Sequence, residues 1–338
     1  MNWQEVKKAA KEKLKPYCRV CPVCNGVVCA GEVPGMGGVG TGSSFKANIE
    51  ALNKIKLNLS TIHDVKEPDT SVEIFGQRLS LPVMAAPITG TTYNMGGAVT
   101  EDIYTQEVIA GSLMAGTLGW IGDGADPLMY GSGINAIKQN NGKGIPIIKP
   151  RTQDEIIKRI RIAEEAKAIA VGVDIDGAGL ITMALKGQPV SPKSPKEIEE
   201  LVKATKLPFI LKGIMTLREA EIAYNIGVSA IVVSNHGGRI LDHTPGVAEV
   251  LPEITEKLKG KITIIADGGV RSGVDVLKLL ALGADAVLIG RPVVVAVFGG
   301  GEEGLKLYFE NIKNELKQAM LLTGVASVKN VPKTILRV

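Results

Sequence analysis

The sequence is short of several residue types that mark particular classes of protein. It has 338 residues but only 3 histidines, and aromatic residues make up 4% of the chain. The net charge of +4 is small, and basic residues alternate with acidic ones instead of gathering with aromatic side chains in one patch. We therefore expect no nucleic-acid partner. The slight positive excess is compatible with a small anionic substrate or a phosphate-bearing cofactor.

Long hydrophobic runs are also missing. No uninterrupted apolar stretch reaches the ~18–20 residues that cross a bilayer. The N-terminal segment MNWQEVKKAAKEKLKPY lacks the apolar core of a signal peptide, and its amphipathic pattern predicts a helix that stops at Pro16. We expect a cytoplasmic protein without a membrane partner.

Glycine, in contrast, is abundant, and many of the 40 glycines follow apolar runs, where α/β proteins place turns and ligand-facing loops. Eight apolar runs have the continuous character of parallel strands covered on both faces. They are Leu81–Ala86, Ala110–Gly116, Ile145–Lys149, Ala168–Asp174, Pro208–Lys212, Ala230–Ser234, Thr263–Asp267 and Ala286–Gly290. Helical patterns in the connections include Gln153–Ala166, Ser194–Thr205, Thr216–Ile226 and Gly273–Leu282. Alternation sustained eight times predicts an α/β fold, the (β/α)8 TIM barrel.

The chain divides into two predicted parts. Residues 1–71 form an N-terminal cap with the first helix, a cysteine- and glycine-rich loop over 18–44 and a second helical stretch near 45–56. Residues 72–338 form the barrel and end with a helix over about 302–323. An internal repeat supports the barrel, because 211–235 parallels 266–290, although any α/β fold with short loops would contain such units.

Polar residues end several of the predicted strands. The endings include Lys149, Asp174, Lys212, Ser234 and Asp267. A buried strand has no packing reason to end repeatedly on charge, and a barrel carries its functional residues at the carboxyl ends of its strands. The pattern therefore predicts one polar site at one mouth of the barrel.

The last two strand ends predict a phosphate site. Gly268, Gly269 and Gly290 allow close approach of backbone N–H groups, and Arg271 and Arg291 add cationic donors. Phosphate binding after strands 7 and 8 is common in this architecture. The alternative to a phosphate site is that these glycines only form turns and that Arg291 is held in a salt bridge below them.

Only one of the histidines, His236, lies at a predicted strand end. The motif SNHGGR places it on a glycine turn, three residues before Arg239. Its pKa range suits proton transfer near neutral pH, and a guanidinium binds a carboxylate bidentately. We expect His236 to be a catalytic base and Arg239 a ligand of a substrate carboxylate. We assign His63 and His243 to the surface or to packing.

The sequence IVVSNHGGRILDHTPG, followed by IIADGGVRSGVDVLKLLALGADAVLIGRPVV, closely resembles the FMN-dependent α-hydroxy-acid oxidising enzymes, such as glycolate oxidase, lactate oxidase and flavocytochrome L-lactate dehydrogenase. LPVMAAPITG, LPFILKGIMT and LLTGVASVKNV also match. The resemblance runs from about residue 72 to the end. It implies FMN as cofactor, oxidation of a 2-hydroxy acid to the 2-oxo acid, and a homo-oligomer, since barrels of this family often form tetramers.

The resemblance also implies a role for each matching residue. His236 would take a proton while the substrate's α-carbon passes a hydride to flavin N5, and Asp174 would hold the imidazole. Arg239 would bind the substrate carboxylate, and Lys212 would stabilise negative charge near flavin N1. The other implied cofactor contacts are Ala86, Pro87, Thr117, Lys149, Ser234, Asp267, Gly268, Gly269, Arg271, Gly290 and Arg291.

The sequence departs from the family after predicted strands 3 and 4. DIDGAGLITMALKGQPV lacks the arginine that serves the family as a second carboxylate ligand. Lys149 and Arg151 replace the family's Gln and Tyr, and they could rebuild an anion site, so Arg151 is a candidate substrate ligand. The segment that normally brings a substrate-binding tyrosine is replaced by the cysteine region, with Tyr17 nearby.

All four cysteines lie in one segment, CRVCPVCNGVVC, with the spacing C-x2-C-x2-C-x4-C. Such clustering without an export signal favours metal ligation over disulfides. Cys18, Cys21, Cys24 and Cys29 are compatible with tetrahedral zinc and with an iron–sulfur cluster, and the first three resemble ferredoxin-type ligation. Reduced thiols packed under the barrel are the alternative. The adjacent EVPGMGGVGTG could form a lid over the flavin.

Two other functions stay open at this point. One is a non-redox FMN enzyme, such as an isomerase similar to type 2 isopentenyl diphosphate isomerase, with Lys149 and Arg151 serving a diphosphate. The other is a non-catalytic flavin- or metal-binding component of an electron-transfer complex.

Overall fold

The computed structural model describes residues 1–337 and contains a closed barrel of eight parallel strands. Each barrel strand lies beside its neighbours in sequence, and the last strand pairs with the first. The predicted (β/α)8 barrel is confirmed. Helices follow the strands and cover their outer faces, which explains why the strands are continuous apolar runs.

The strands and helices have the following bounds. The barrel strands are β4 (Val83–Ile88), β5 (Gly119–Gly122), β6 (Ile145–Ile148), β7 (Val171–Asp174), β8 (Phe209–Ile214), β9 (Ala230–Val233), β10 (Thr263–Ala266) and β11 (Ala286–Ile289). The short strands outside it are β1 (Lys56–Leu57), β2 (Val72–Ile74), β3 (Gln77–Leu79) and β12 (Leu336–Arg337). The helices are α1 (Trp3–Lys13), α2 (Ser43–Lys54), α3 (Thr91–Asn94), α4 (Glu101–Met114), α5 (Pro127–Gln139), α6 (Gln153–Glu165), α7 (Ile181–Ala184), α8 (Pro195–Lys203), α9 (Leu217–Asn225), α10 (Val247–Leu258), α11 (Gly273–Ala281) and α12 (Arg291–Thr323).

The second barrel strand differs from the prediction. The sequence predicts it at Ala110–Gly116, but these residues end helix α4 and the turn after it, and the strand is Gly119–Gly122. The prediction was wrong because periodicity does not distinguish a short apolar run from a buried helix segment, and Ile109 and Ser112 of α4 are buried. The strand itself has four residues, of which two are glycines that disfavour strands.

The four predicted connecting helices are confirmed. Ser194, Thr216 and Ser272 act as N-caps, because the side chain of each accepts a hydrogen bond from a backbone N–H in the first turn. The predicted C-terminal helix is the second arm of α12, which starts earlier and bends at Gly301, whose φ of 60° is not helical. Glycine tolerates this angle without a Cβ clash.

The N-terminal cap packs on the barrel at two places. The rings of Trp3 and Tyr308 lie 5.1 Å apart between centroids, which holds α1 against α12. On α2, Asn48 donates a hydrogen bond of 2.8 Å to Asn235, which follows β9. The division of the chain at residue 72 stays a prediction. None of the helices between residues 1 and 337 combines the length and apolar composition that a bilayer crossing requires.

The barrel interior is filled by side chains. Trp120 is fully buried there, and its Nε1 lies 3.3 Å from Met84 Sδ. Ile74 and Leu79 from the β2–β3 hairpin belong to the same apolar cluster. Since the interior is packed, a ligand is expected at the carboxyl mouth, where a barrel carries its functional residues.

Candidate active site

The carboxyl ends of the barrel strands surround a cavity at the mouth. The N-terminal loop contributes Gly35 and Met36 to its wall. Twelve of the predicted site residues line this cavity: Ala86, Pro87, Lys149, Lys212, His236, Arg239, Asp267, Gly268, Gly269, Arg271, Gly290 and Arg291. The structure therefore brings most of the predicted site together.

His236 lies in a tight turn after β9. Its φ is 57°, and Gly237 and Gly238 continue the turn with positive φ. The backbone N–H of His236 donates to Ser234 Oγ at 3.0 Å, so the predicted Ser234 fixes the turn. This conformation directs the imidazole to the cavity that it lines.

Two carboxylates face the imidazole. His236 Nδ1 lies 3.0 Å from Asp176 Oδ1 and 3.4 Å from Asp174 Oδ2. The sequence predicts Asp174 as the partner, whereas the structure places Asp176 closer. Asp176 follows β7 in a single 3-10 turn, Ile175–Gly179, which brings its side chain back toward the barrel axis.

Asp174 is engaged mainly by two lysines. Lys149 Nζ lies 2.6 Å from Asp174 Oδ2, and Lys212 Nζ lies 3.2 Å from Asp174 Oδ1. Asp174 and Lys212 are direct register partners on β7 and β8, which explains why they meet. Lys212 also lies 3.3 Å from Ser234 Oγ and 3.8 Å from Asp267 Oδ2. All these side chains are almost fully buried, so the ion pairs are held in one geometry.

Burial and neighbouring charges set the protonation of this cluster. Burial opposes ionisation of Asp174, but His236, Lys149 and Lys212 outweigh it and hold the pKa of Asp174 well below its usual range. Burial, followed by the Asp174 anion, raises the pKa of Asp176 well above its usual range. Burial lowers the pKa of His236 well below its usual range. His236 is therefore a neutral imidazole beside the Asp174 anion, which opposes the effect of burial on its pKa.

Arg239 occupies the rim of the mouth. Its Nη1 donates to the carbonyl oxygen of Gly35, and its Nη2 donates to Asn94 Oδ1 at 3.1 Å. Burial lowers the pKa of Arg239 to about 10, so the guanidinium stays cationic at neutral pH. A guanidinium has five N–H donors, more than these contacts use, so the side chain keeps capacity for a carboxylate.

The loop after β10 forms a cradle. Gly268 and Gly269 have φ of 84° and 85°, and a Cβ on either would lie 2.7 Å from an oxygen of Asn48. Asp267 Oδ1 is buried without a hydrogen-bond partner among the described residues. A buried acceptor of this kind requires a donor, and a ligand hydroxyl would supply it. The two glycines thus let this loop pack closely on α2, and Asp267 offers an acceptor for a polyhydroxylated chain.

The two arginines of the predicted phosphate site also hold the N-terminal loop. Arg271 Nη2 donates to Cys24 Sγ at 3.4 Å. Arg291 Nε donates to Met36 O at 2.7 Å, and its guanidinium carbon lies 3.8 Å from the ring centroid of Phe45. Burial lowers the pKa of Arg291 to about 9. Both arginines line the mouth, as a phosphate site requires.

Two predicted site residues are not at the mouth. Thr117 precedes β5 and donates to the carbonyl oxygen of Val83, the first residue of β4, so it lies at the amino end of the barrel. Its predicted place on the flavin ring followed from the misplaced second strand. Arg151 is buried in an ion pair with Asp123, at 2.7 Å between Nε and Oδ2, and its Nη1 donates to Gln188. This pairing contradicts a role for Arg151 as a free substrate ligand.

Four residues with a part in the site were not selected from the sequence: Asp123, Asp176, Tyr93 and Asn94. Asp123 follows β5 directly, so the misplaced strand concealed it. Asp176 lies in the DID motif beside the predicted Asp174, and a second carboxylate two residues on was a signal that could have found it. Tyr93 and Asn94 lie in α3 after β4, and both line the cavity.

The four cysteines lie beside the mouth without disulfides. All of them line a second cavity, which shares Met36, Gly269, Arg271 and Arg291 with the first one. Burial raises the pKa of the Cys18 and Cys29 thiols. Gly35 and Met36, from the predicted lid, do line the flavin-cradling mouth.

Comparison with known proteins then decides the family. The model of the FMN-dependent dehydrogenase family matches residues 35–180 and 178–338. The chain belongs to this family. The family member named peroxisomal (S)-2-hydroxyacid oxidase, from Arabidopsis thaliana, is 31% identical over 335 residues, which cover 89% of this chain and 90% of the relative. The 2-hydroxyacid oxidase 1 of Homo sapiens is 32% identical over 334 residues, which cover 86% of this chain and 87% of the relative.

Solved structures of the FMN-dependent dehydrogenase family agree with this assignment. A mandelate oxidase superposes with a TM-score of 0.81 at 26% identity, covering 99% of this chain and 97% of that chain. A mutant flavocytochrome b2 with pyruvate bound superposes with a TM-score of 0.77 at 28% identity, covering 89% of this chain and 80% of that chain. The predicted family and its FMN cofactor are confirmed, and the cradle is compatible with FMN.

Proposed function

We propose that this protein oxidises a 2-hydroxy acid to the corresponding 2-oxo acid, with FMN as the immediate electron acceptor. The observation that carries the proposal is the position of His236, a neutral imidazole that lines the FMN mouth with Nδ1 against Asp176. The printed names of the relatives, which include 2-hydroxyacid oxidases and mandelate oxidase, support the same class of substrate.

The chain's own residues supply the acid–base and electrostatic parts of this reaction. Bound FMN would accept hydrogen from the α-carbon of the substrate. His236 would take the hydroxyl proton at Nε2, because Nδ1 faces Asp176. Asp174, whose Oδ2 lies 3.4 Å from Nδ1, would then stabilise the imidazolium, while Asp176 would orient the ring. Lys212, fixed by Asp174, would oppose the negative charge that develops on the cofactor.

The carboxylate of the substrate would bind Arg239. Unlike Lys149 and Arg151, this side chain is not paired with Asp174 or Asp123 within the described residues. The second arginine of the family's pattern is missing from the sequence, and Arg151 does not replace it because Asp123 holds it. Tyr93, whose ring lines the same cavity, is placed to contact the substrate.

A diphosphate substrate, as an isomerase would use, is not favoured. Lys149 and Arg151 were the cations considered for it, and each is paired with a buried carboxylate, Asp174 and Asp123 respectively. A homo-oligomer and a cytoplasmic location stay predictions.

Anaerobic mixing with a panel of 2-hydroxy acids tests the proposed function. Glycolate, lactate and mandelate would each be mixed with the FMN-loaded protein while the visible flavin absorbance is followed. At least one acid should bleach the flavin and yield one 2-oxo acid per flavin, whereas the matching 2-methoxy acid, which has no hydroxyl proton, should not. A flavin that stays oxidised with every acid would refute the proposal.

A further inference from the structure

The cysteine loop, defined as residues 18–29, is an ordered segment without helix or strand. It leaves α1 through a hydrogen bond of 2.9 Å from Cys18 N to Leu14 O. Arg19 then binds Glu32 through two hydrogen bonds of 2.7 and 2.6 Å, which tie the start of the loop to the residues after its end. The loop thus closes on itself around its cysteines.

All four thiols, which are every cysteine of the chain, line one cavity of about 360 Å³. None of the four is fully exposed, and none is in a disulfide. The opposite wall combines apolar side chains, such as Leu52 and Val295, with the guanidinium groups of Arg271 and Arg291. Four cysteines that converge on a partly apolar and partly cationic cavity match what a thiolate-ligated metal group needs.

The separation of the sulfurs distinguishes between two kinds of metal group. A single zinc ion holds four thiolates about 3.8 Å apart, since each Zn–S bond is about 2.3 Å in a tetrahedron. A [4Fe–4S] cluster holds them farther apart, at about 6 Å, because each thiolate binds its own iron. Within residues 1–337, no three cysteine sulfurs lie within 4.8 Å of one another. This arrangement does not match the compact tetrahedron of a single zinc ion, whereas a cluster ligates sulfurs that lie farther apart.

The polar contacts of the sulfurs favour an anionic cluster. The backbone N–H of Val20 donates to Cys18 Sγ at 3.4 Å, and Arg271 Nη2 donates to Cys24 Sγ at 3.4 Å. Hydrogen bonds to the sulfurs and nearby positive charge stabilise a cluster ligated by four thiolates. Arg271 and Arg291 also line the FMN mouth, so the cavity lies directly behind the phosphate cradle.

We propose that Cys18, Cys21, Cys24 and Cys29 bind a [4Fe–4S] cluster next to the FMN phosphate site. The cluster would be a one-electron redox group in addition to the flavin. Its presence does not depend on which substrate the enzyme oxidises, so this inference and the proposed function fail separately.

The test is metal analysis of the full chain. The protein would be purified anaerobically and its iron, zinc and sulfide measured as isolated; a portion would then be incubated with sulfide and equal amounts of ferrous and ferric iron, and desalted. We expect about four iron and four sulfide per chain, little zinc, and an electron paramagnetic resonance signal after reduction with dithionite. Zinc in place of iron, or no retained metal with four thiols that react with a thiol reagent, would overturn the proposal.

Substitutions of single residues in the cysteine loop test whether the cluster binds there. Cys21→Ser and Cys24→Ser should each lower the retained iron at least fourfold, whereas Val23→Ser should leave it unchanged, because Val23 is a 68% exposed side chain of the same loop. FMN content, measured on each variant, shows whether the barrel is folded. If a cysteine variant does not fold, the iron content, the sulfide content and the resonance signal of the unmodified chain still show whether a cluster is present. Iron that survives both cysteine substitutions in folded protein would contradict this site.

Discussion

His236 Nδ1 lies 3.0 Å from Asp176 Oδ1 and 3.4 Å from Asp174 Oδ2, although Asp174 is the residue that ends the strand. The two carboxylates have different roles at the mouth. Asp174 neutralises Lys149 and Lys212, which lie 2.6 and 3.2 Å away. Asp176 has no lysine this close among the described ion pairs, and it orients the imidazole.

The first prediction concerns the different roles of Asp174 and Asp176. Asp176→Asn should lower kcat by about 10²-fold, because the imidazole loses the side chain that orients it. FMN content should stay unchanged. Asp174→Asn should instead lower the free energy of unfolding by about 3–5 kcal/mol, since it leaves two buried lysines without their carboxylate. Steady-state kinetics and denaturant unfolding check both variants, and the reverse pattern would restore Asp174 as the orienting partner.

The second prediction concerns pH. The neutral imidazole is the form that acts as a base, so kcat/KM should rise with pH through the pKa of His236. Burial lowers this pKa, and the Asp174 anion opposes the lowering. In Asp174→Asn the opposing charge is gone, so the acid limb of kcat/KM should move to lower pH. A limb that stays in place or moves to higher pH would show that Asp174 does not act on the base.

The third prediction concerns the phosphate cradle. Gly269 and Gly227 have nearly the same φ, 85° and 84°, but a Cβ on Gly269 would lie 2.7 Å from Asn48 O, while a Cβ on Gly227 would meet nothing within 4 Å. Gly227→Ala should therefore cost only the strain of the left-handed angle, about 1 kcal/mol. Gly269→Ala should cost more and weaken FMN binding. The free energy of unfolding and the FMN affinity of the two variants distinguish backbone strain from a steric clash. Equal losses of stability in both variants, with unchanged FMN affinity, would mean that the cradle tolerates a side chain.

The fourth prediction concerns Arg151, whose exposed side-chain fraction is 5%, against 0% for its partner Asp123. Arg151→Met should lower the free energy of unfolding by about 3 kcal/mol, because Asp123 then loses its main partner. The KM for the 2-hydroxy acid should change little. Arg161→Met is the matched control, since its pair with Glu164 is exposed and should contribute less than about 1 kcal/mol. A large rise in KM with unchanged stability would make Arg151 a substrate ligand after all.

The sequence predicted the barrel and most of the mouth because both follow from strand ends. Lys212 and Asp267 end apolar runs that are unambiguous, and the SNHGG turn identifies His236. The prediction failed where a strand was short and glycine-containing, as at Gly119–Gly122, and this one error displaced Thr117 and hid Asp123. The pairing of Arg151 with Asp123 and of His236 with Asp176 depends on side chains from different strands, which strand-end patterns do not specify.

The rate of flavin reduction in His236→Ala tests the central claim most directly. Wild type and variant, both loaded with FMN, would be mixed anaerobically with the best 2-hydroxy acid in a single turnover. The account predicts equal FMN content and a reduction rate at least about 10²-fold lower in the variant, because His236 is the base that takes the hydroxyl proton. Equal reduction rates in the two proteins would contradict the assignment of His236 as the base.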